Sequence, residues 1–168
     1  MMYMKSACCV IPAHNRQAIH GLTDLFGVAN RIAAENADTR LPVLRVRHWK
    51  LSETDEKVLC CFDSHPGYPE KPVVIVAPPC LGERPEDAVI RPMLNWLRAR
   101  HARAAILASV CAGAFVLAHS GALDGRTVTT HWCLAEELAG RFPAVRIDAD
   151  RLVIDDGDIV TAGADGMD

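Results

Sequence analysis

The sequence lacks several features that would assign a function directly. No apolar run approaches the length of a membrane-spanning helix, and the first residues show no secretory signal peptide, so we expect a cytoplasmic protein without membrane contact. Basic residues are not in excess, since 18 Lys and Arg stand against 21 Asp and Glu and the net charge is −3. This balance argues against direct binding of DNA phosphates by this chain. GxGxxG and P-loop patterns are absent, so nucleotide binding has no support.

The seven cysteines form neither a disulfide framework nor a metal motif. Two pairs are adjacent, Cys8 with Cys9 and Cys60 with Cys61, and no CxxC spacing occurs. This usage is typical of a reduced compartment. No group of His, Cys and Asp has metal-ligand spacing, and we expect neither a metal nor another cofactor. We interpret both cysteine pairs as core residues of strands, and Cys133 as a packing residue of a helix.

Short apolar runs alternate with helical patterns along 168 residues, about the size of one domain. Half of the residues are hydrophobic, which is enough for a substantial core. The alternation predicts an α/β protein whose parallel sheet is covered on both faces and whose ligand site lies beyond the carboxyl ends of the strands. An Asp-Gly turn at 155–158 predicts a hairpin near the end of the chain. The predicted strands are 7–12, 42–49, 57–62, 72–79 and 103–110, and the predicted helices are 21–36, 85–101, 112–120 and 131–142.

One cysteine stands where a buried strand turns into a helix. In the stretch SVCAGA (109–114), Cys111 is followed by the small residues Ala112 and Gly113. A sharp strand-to-helix turn holds such a residue in strained φ/ψ and exposes its side chain at the top of the sheet. The start of a helix also lowers the pKa of a thiol. The pattern predicts a reactive thiol or a small-ligand pocket, while a cysteine buried only for packing is the alternative.

The segment SVCAGAFVLAHSGALDGRTVTTHW, with the later LAEELAGRFPAVRIDADRLVIDDGDIVTAG, closely resembles the DJ-1/PfpI (ThiJ) superfamily. The nearest group is the GlxA-like regulators, in which a DJ-1-like domain precedes an AraC-type helix-turn-helix domain. The resemblance is dense over 105–163 and weaker at GLTDLFGVAN near the start. It implies a flavodoxin-like three-layer sandwich with a mainly parallel central sheet, as in class I glutamine amidotransferases. It also implies that Cys111 occupies the nucleophile elbow, with His131 of TTHW nearby.

The candidate base differs from that of the proteases in this superfamily. The PfpI-type proteases have a histidine directly after the cysteine, and this chain has Ala112 there. His131 is therefore the remaining candidate base for Cys111. A structural histidine at a helix start, beside a packed Trp132, fits the sequence equally well.

The carboxylate and the oxyanion donors of related enzymes are also replaced. The isonitrile hydratases resemble this chain but carry an acid early in the sequence, where the alignment places Ala18. Asp24 matches a later glutamate two helical turns away, and we expect it to face solvent. Many relatives have PGG after the third buried strand, whereas this chain has Pro78 and Pro79, which lack an N–H. Only the Ala112 N–H remains as a donor towards developing negative charge.

We therefore expect a ligand-sensing or dimerisation domain of an AraC-type transcriptional regulator, with a degenerate pocket around the cysteine. The alternative is a cysteine-dependent DJ-1/PfpI enzyme, similar to an isonitrile hydratase or an amidase. The resemblance implies a homodimer with a small-molecule effector, and contact with DNA only through a domain outside this chain. The ending VTAGADGMD suggests one domain over 1–168 that lacks its last helix. The candidate catalytic residues are Cys111 and His131, and the candidate ligand contacts are Cys111, Ala112, Gly113, His131, Pro79 and Cys80.

Overall fold

The apolar runs and helical patterns become nine strands and four helices in the part of the chain that the structure, a computed structural model, describes. That part comprises residues 5–11, 16–36, 44–52, 54–67, 73–79 and 87–163. The helices are α1 (Arg16–Asn36), α2 (Asp87–His101), α3 (Gly113–His119) and α4 (Ala135–Arg141), and a 3-10 turn at Trp132–Leu134 precedes the last. The strands are β1 (Lys5–Ile11), β2 (Leu44–Leu51), β3 (Val58–Asp63), β4 (Val74–Ala77), β5 (Ile106–Val110), β6 (Thr127–Val128), β7 (Arg146–Ile147), β8 (Val153–Asp155) and β9 (Ile159–Ala162).

Seven strands form one sheet in the order β3-β2-β1-β4-β5-β9-β8. The five inner strands are parallel, and the two outer strands pair antiparallel with their neighbours. Strands β6 and β7 form a separate parallel pair. The predicted hairpin is β8–β9, where Gly157 has φ +80° and its N–H donates to Asp155 Oδ1 at 2.9 Å. The prediction of a flavodoxin-like α/β fold with a mainly parallel sheet is confirmed.

Helices cover both faces of the sheet. Because side chains alternate along a strand, Val74 and Val76 of β4 face α1, while Ile75 and Ala77 face the opposite side. Helix α1 buries Ile19 against the first of these faces. Helices α2 and α3 cover the second face, which holds the larger core. Its fully buried side chains include Ile75, Leu97, Leu107, Phe115, Leu117 and Leu123.

Three cysteines lie elsewhere than the sequence indicated. Cys60 and Cys61 are exposed, so their interpretation as core residues is wrong. Strand β3 is the outermost strand and most of its side chains are exposed, yet its apolar run looks like that of a buried strand. Cys133 is also exposed, because it lies in the 3-10 turn and not on the packed face of a helix. The side chains of Cys8 and Cys9 lie outside the described residues.

Candidate functional site

Cys111 lies between the end of β5 and the start of α3, at the carboxyl edge of the parallel strands. Its φ is +52°, in the left-handed region that non-glycine residues seldom adopt. Hydrogen bonds hold this turn on both sides. The Cys111 N–H donates to the carbonyl of Ala162 at 2.8 Å, and its carbonyl accepts from the Ala114 N–H at 3.2 Å and from Thr130 Oγ1 at 2.9 Å. The conformation of Cys111 is thus fixed by β9 and by the segment before α4.

Gly113 begins α3 and lies directly against the end of β4. A Cβ built on Gly113 would overlap the carbonyl of Ala77 and would lie 3.0 Å from the carbonyl oxygen of Pro78. Close backbone packing therefore explains the small residue at this position. The end of β4 turns carbonyl oxygens towards α3, and neither Pro78 nor Pro79 has an N–H to donate. These carbonyl oxygens therefore lie beside the start of α3, and the two prolines offer no N–H there.

The environment of the Cys111 thiol favours its neutral form. Burial raises the pKa of Cys111, and the hydrogen bond from the Ala112 N–H lowers it by less. The nearby Cys133 raises the pKa further. Among the described residues, none of the groups that act on this thiol is a cation. The raised pKa disfavours the thiolate, which an active nucleophile needs.

The His131 imidazole caps the 3-10 turn. Its Nδ1 accepts a hydrogen bond from the Cys133 N–H at 3.3 Å, so the neutral ring carries its proton on Nε2. The ring lies 5.6 Å from that of Trp132. Trp132 is 58% exposed, which corrects its expected packed position. No hydrogen bond of the described residues joins this imidazole to Cys111, although Thr130 brings the neighbouring backbone to the cysteine.

The two positions weighed for a carboxylate lie on α1. Ala18 is half-buried in the first turn of the helix and supplies no acid. Asp24 is exposed and lines a groove that does not include Cys111. The groove has a volume of about 470 Å³. We call it the α1 groove. It is lined by Thr23, Asp24, Gly27, Val28, Asn30, Arg31, Val46, Ser64 and His65.

The remaining candidates are partly described. Pro79 is half-buried after β4, and Cys80 lies outside the described residues. Within the described ranges, no three His, Cys, Asp or Glu side chains are grouped to hold a metal ion. The searched helices also include none that is long and apolar enough to cross a membrane.

Three residues near the turn were not identified from the sequence. Thr130 is 1% exposed and bonds to the Cys111 carbonyl. A Cβ on Gly163 would lie 2.6 Å from the Thr130 carbonyl oxygen, so Gly163 permits this approach. Ser109 is 2% exposed, and its hydroxyl has no hydrogen-bond partner among the described residues. In the sequence, only the polar pair before the histidine of TTHW pointed to these residues. The register of β5 against β9 could not be predicted from the sequence.

Several known proteins resemble this chain in sequence. Residues 75–167 match the model of the DJ-1/PfpI family. An uncharacterised protein of the cpoL 5′ region of Streptomyces lividans is 32% identical over 135 residues, which cover 75% of this chain and 86% of that protein. The HTH-type transcriptional regulator CdhR of Pseudomonas aeruginosa is 32% identical over 82 residues, covering 49% of this chain and 24% of the regulator. Isonitrile hydratase of Pseudomonas putida is 37% identical over 70 residues, covering 42% of this chain and 29% of the enzyme.

Solved structures share the fold at low sequence identity. Drosophila melanogaster DJ-1beta superposes with a TM-score of 0.65 at 19% identity, covering 96% of this chain and 83% of that one. An AraC family transcriptional regulator from Pseudomonas putida superposes with a TM-score of 0.62 at 18% identity, covering 95% of this chain and 83% of that one. The same architecture therefore occurs in proteins with different described roles, and the site must decide between those roles.

Proposed function

Because this chain belongs to the DJ-1/PfpI family, we propose that it is a ligand-sensing or dimerisation domain of an AraC-type transcriptional regulator. In this proposal the chain is cytoplasmic, and it contacts DNA only through another domain. One observation carries the proposal: the Cys111 thiol has a raised pKa and no base bonded to it among the described residues. The similarity to CdhR supports the same assignment.

A cysteine-dependent hydrolase or hydratase needs a thiolate, a proton-transfer group and donors aimed at developing negative charge. Burial raises the pKa of Cys111, which disfavours the thiolate. The His131 Nδ1 is occupied by the Cys133 N–H, so it is not free to accept a proton from sulfur. Pro78 has no N–H to donate after β4. Each of the three requirements is weakened, and the proposed pocket therefore binds without efficient turnover.

The groups proposed to contact a ligand suit a small molecule whose part beside the Cys111 thiol is uncharged. The half-buried Cys111 thiol is a weak donor, and the Ala112 N–H already donates to its sulfur. The His131 Nε2–H is a further donor beside them. Gly113, Pro79 and Cys80 complete the proposed contacts. A ligand with an apolar body and one acceptor group, such as an amide, fits this set better than a strongly charged one.

Alkylation of Cys111 by iodoacetamide across pH tests the absence of activation. Peptide mass spectrometry must resolve each site, because Cys60, Cys61 and Cys133 are exposed and also react. The midpoint for Cys111 is expected above that of free cysteine, about 8.5, measured in the same buffers. A midpoint near 7 would contradict the proposal and favour an enzyme.

Thermal denaturation with a metabolite library tests the sensing role. A saturable increase in Tm is expected for at least one neutral or amide-bearing compound. The increase should be reduced in His131→Ala and retained in His101→Ala, whose ring lies beside Asp158 on the opposite edge of the sheet. If no compound shifts Tm, or if His101→Ala and His131→Ala behave alike, the proposed pocket is wrong.

A second candidate function is isonitrile hydration. The similarity to isonitrile hydratase and the strained φ of Cys111, +52°, favour it. This reaction adds one water across the isonitrile carbon and gives an N-substituted formamide. Incubation of the protein with an alkyl isonitrile, followed by NMR detection of the formamide proton, tests it directly. Formation of product that is abolished in Cys111→Ala would establish this function, and no product above the buffer rate would exclude it.

A further inference from the structure

Two tryptophans and two arginines come together where α2 packs against β2. On β2, Arg47 and Trp49 are two residues apart and therefore point to the same face of the sheet. On α2, Trp96 and Arg100 are four residues apart and lie on one side of the helix. The ring centroids of Trp49 and Trp96 are 5.1 Å apart. We call these four side chains the Trp–Arg cluster.

The Arg100 guanidinium lies over both tryptophan rings. Its central carbon is 5.2 Å from the ring centroid of Trp96 and 5.9 Å from that of Trp49. The guanidinium carbon of Arg47 is 5.7 Å from the same Trp49 centroid. A cation–π contact uses the face of the ring and takes none of the five N–H donors of an arginine. An arginine held in this way keeps its planar set of donors for an anion.

The hydrogen bonding of Arg100 differs from that of Arg126, which is also half-buried. The Arg126 guanidinium donates to Asp156 at 2.9 Å and to Asp158 at 2.8 Å. Within the described residues, no hydrogen bond or ion pair joins the Arg100 guanidinium to an acceptor. Partial burial of a cation is costly unless a ligand or water supplies an acceptor. Arg100 is therefore positioned by the two indoles with its donors available.

The charge at this cluster favours an anion. Arg47 and Arg100 place two positive charges beside the single ring of Trp49. The nearby Asp63 accepts hydrogen bonds from Arg45 on both carboxylate oxygens. Arg45 lowers the pKa of Asp63 most, and Arg47 lowers it further. Asp63 is thus already bonded to Arg45, and the positive charge of Arg100 can attract an external anion.

We propose that the Trp–Arg cluster binds a small molecule that carries an oxyanion, a carboxylate or a phosphate, on a flat aromatic ring. The Arg100 donors bind the oxyanion, and the aromatic ring packs against the half-buried indoles of Trp96 and Trp49. This site is separate from the proposed pocket at Cys111. Strands β1 and β4 lie between β2 and β5 in the sheet, which separates the two strands by about 14 Å. The inference therefore does not depend on the proposed function.

Tryptophan fluorescence tests binding with two probes, benzoate and phenyl phosphate. The chain has three tryptophans, so in Trp132→Phe the emission comes from Trp49 and Trp96 alone. A saturable change is expected for at least one probe, and the tighter probe identifies which oxyanion the site prefers. Acetate and inorganic phosphate, which lack the ring, should bind about fivefold more weakly or less tightly still. No saturable change with either probe overturns the inference, and equal binding of the anions without a ring overturns the role of the indoles.

Substitution of Arg100 tests the residue that binds the oxyanion. Arg100→Gln should weaken probe binding about tenfold or more, because it removes the charge and most of the donors. Arg141→Gln is the matched control, since the Arg141 guanidinium also lies over two aromatic rings but pairs with Glu137. Its dissociation constant for the probe should change less than about twofold. Circular dichroism confirms that both variants fold, and equal effects of the two substitutions would contradict the role of Arg100.

Alkylation of Cys60 tests the position of the site without any substitution. Cys60 is exposed and lies directly opposite Trp49 in the register of β2 and β3, so both side chains share one face of the sheet. A probe bound at the Trp–Arg cluster should slow the reaction of Cys60 with iodoacetamide and leave that of the exposed Cys133 unchanged. Peptide mass spectrometry resolves the two sites. An unchanged Cys60 rate at a saturating probe concentration would overturn the proposed position.

The variant Cys111→Ala distinguishes this site from the proposed pocket. Its affinity for benzoate and phenyl phosphate should equal that of the native chain. Loss of probe binding in Cys111→Ala would assign the probe to the Cys111 pocket, which overturns the inference and supports the proposed function. Failure of the Trp–Arg cluster to bind either probe leaves the proposed function at Cys111 unaffected.

Discussion

The hydroxyl of Thr130 donates a hydrogen bond to the carbonyl oxygen of Cys111 over 2.9 Å, which ties the segment before α4 to the turn that carries the thiol. Thr130→Val keeps the shape and removes this bond. We expect the free energy of unfolding to fall by about 1 kcal/mol. Thr127→Val is the control, because Thr127 is exposed and its hydroxyl accepts from Arg146 at 3.2 Å. Urea denaturation measures both, and equal losses would contradict the role assigned to Thr130.

The contact of Gly113 with β4 leaves no room for a methyl group. Gly113→Ala places a Cβ against the carbonyls of Ala77 and Pro78, which are backbone groups within the sheet. We expect a loss of about 2–3 kcal/mol in the free energy of unfolding. Gly140→Ala should instead stabilise the protein by about 0.5–1 kcal/mol, because that glycine is in α4 and its Cβ would meet nothing within 4 Å. A neutral Gly113→Ala would show that α3 moves away from β4 at no cost.

The buried hydroxyl of Ser109 has no hydrogen-bond partner in the described chain, so it opposes folding. Ser109→Ala should raise the free energy of unfolding by about 1 kcal/mol. Ser120→Ala is a matched comparison, since Ser120 is 3% exposed and its hydroxyl donates to the Leu117 carbonyl at 2.7 Å. That variant should lose about 1 kcal/mol. Destabilisation by both variants would mean that the Ser109 hydroxyl has a partner in solution.

Asp158 makes stability depend on pH at the edge of the sheet opposite Cys111. Hydrogen bonds from Arg126 at 2.8 Å and His101 at 2.6 Å lower the pKa of Asp158 to about 2, from 3.8. Because the folded-state pKa lies below the unfolded value, this contribution is present above pH 3.8 and is lost as the pH falls towards 2. Asp158 is half-exposed, so the effect is about 0.5 kcal/mol or less.

Asp158→Asn should therefore be less stable than the native chain at pH 5, and the difference should shrink as the pH falls towards 2. Urea denaturation at several pH values measures this. Asp124→Asn is the control, because Asp124 is exposed and forms no ion pair within the described ranges. A difference that persists unchanged at pH 2 would assign the effect to packing and not to charge.

The sequence was sufficient for the elements with strong periodicity. The continuous run from Val73 predicted the buried strand that became β4, and the Asp-Gly pair predicted the hairpin at Gly157. It was insufficient at the edge of the sheet, where Cys60 and Cys61 have apolar neighbours but are exposed on the outermost strand. It also missed β6, because two residues are too few to show a period.

For the candidate site, the sequence located the turn but not its contacts. The small residues around Cys111 predicted a strand-to-helix junction, and the structure places the cysteine between β5 and α3. The position of the His131 imidazole relative to the Cys111 thiol depends on the 3-10 turn that begins beside it. The sequence predicts an α-helix there instead. Whether these residues bind a ligand stays a prediction.

The hydrogen bonds and backbone contacts at the Cys111 turn also have a consequence for the order in which parts of the fold form. The Cys111 N–H donates to the carbonyl of Ala162, 51 residues later in the chain. Gly113, at the start of α3, packs against the carbonyl of Ala77, 36 residues earlier. These contacts require the parallel strands β4, β5 and β9 to have paired, and parallel pairing over long sequence separations is slow. We therefore expect the strained turn to close late, after the local helices have formed. The time during refolding at which the Cys111 amide becomes protected from hydrogen exchange would therefore report when the sheet is complete.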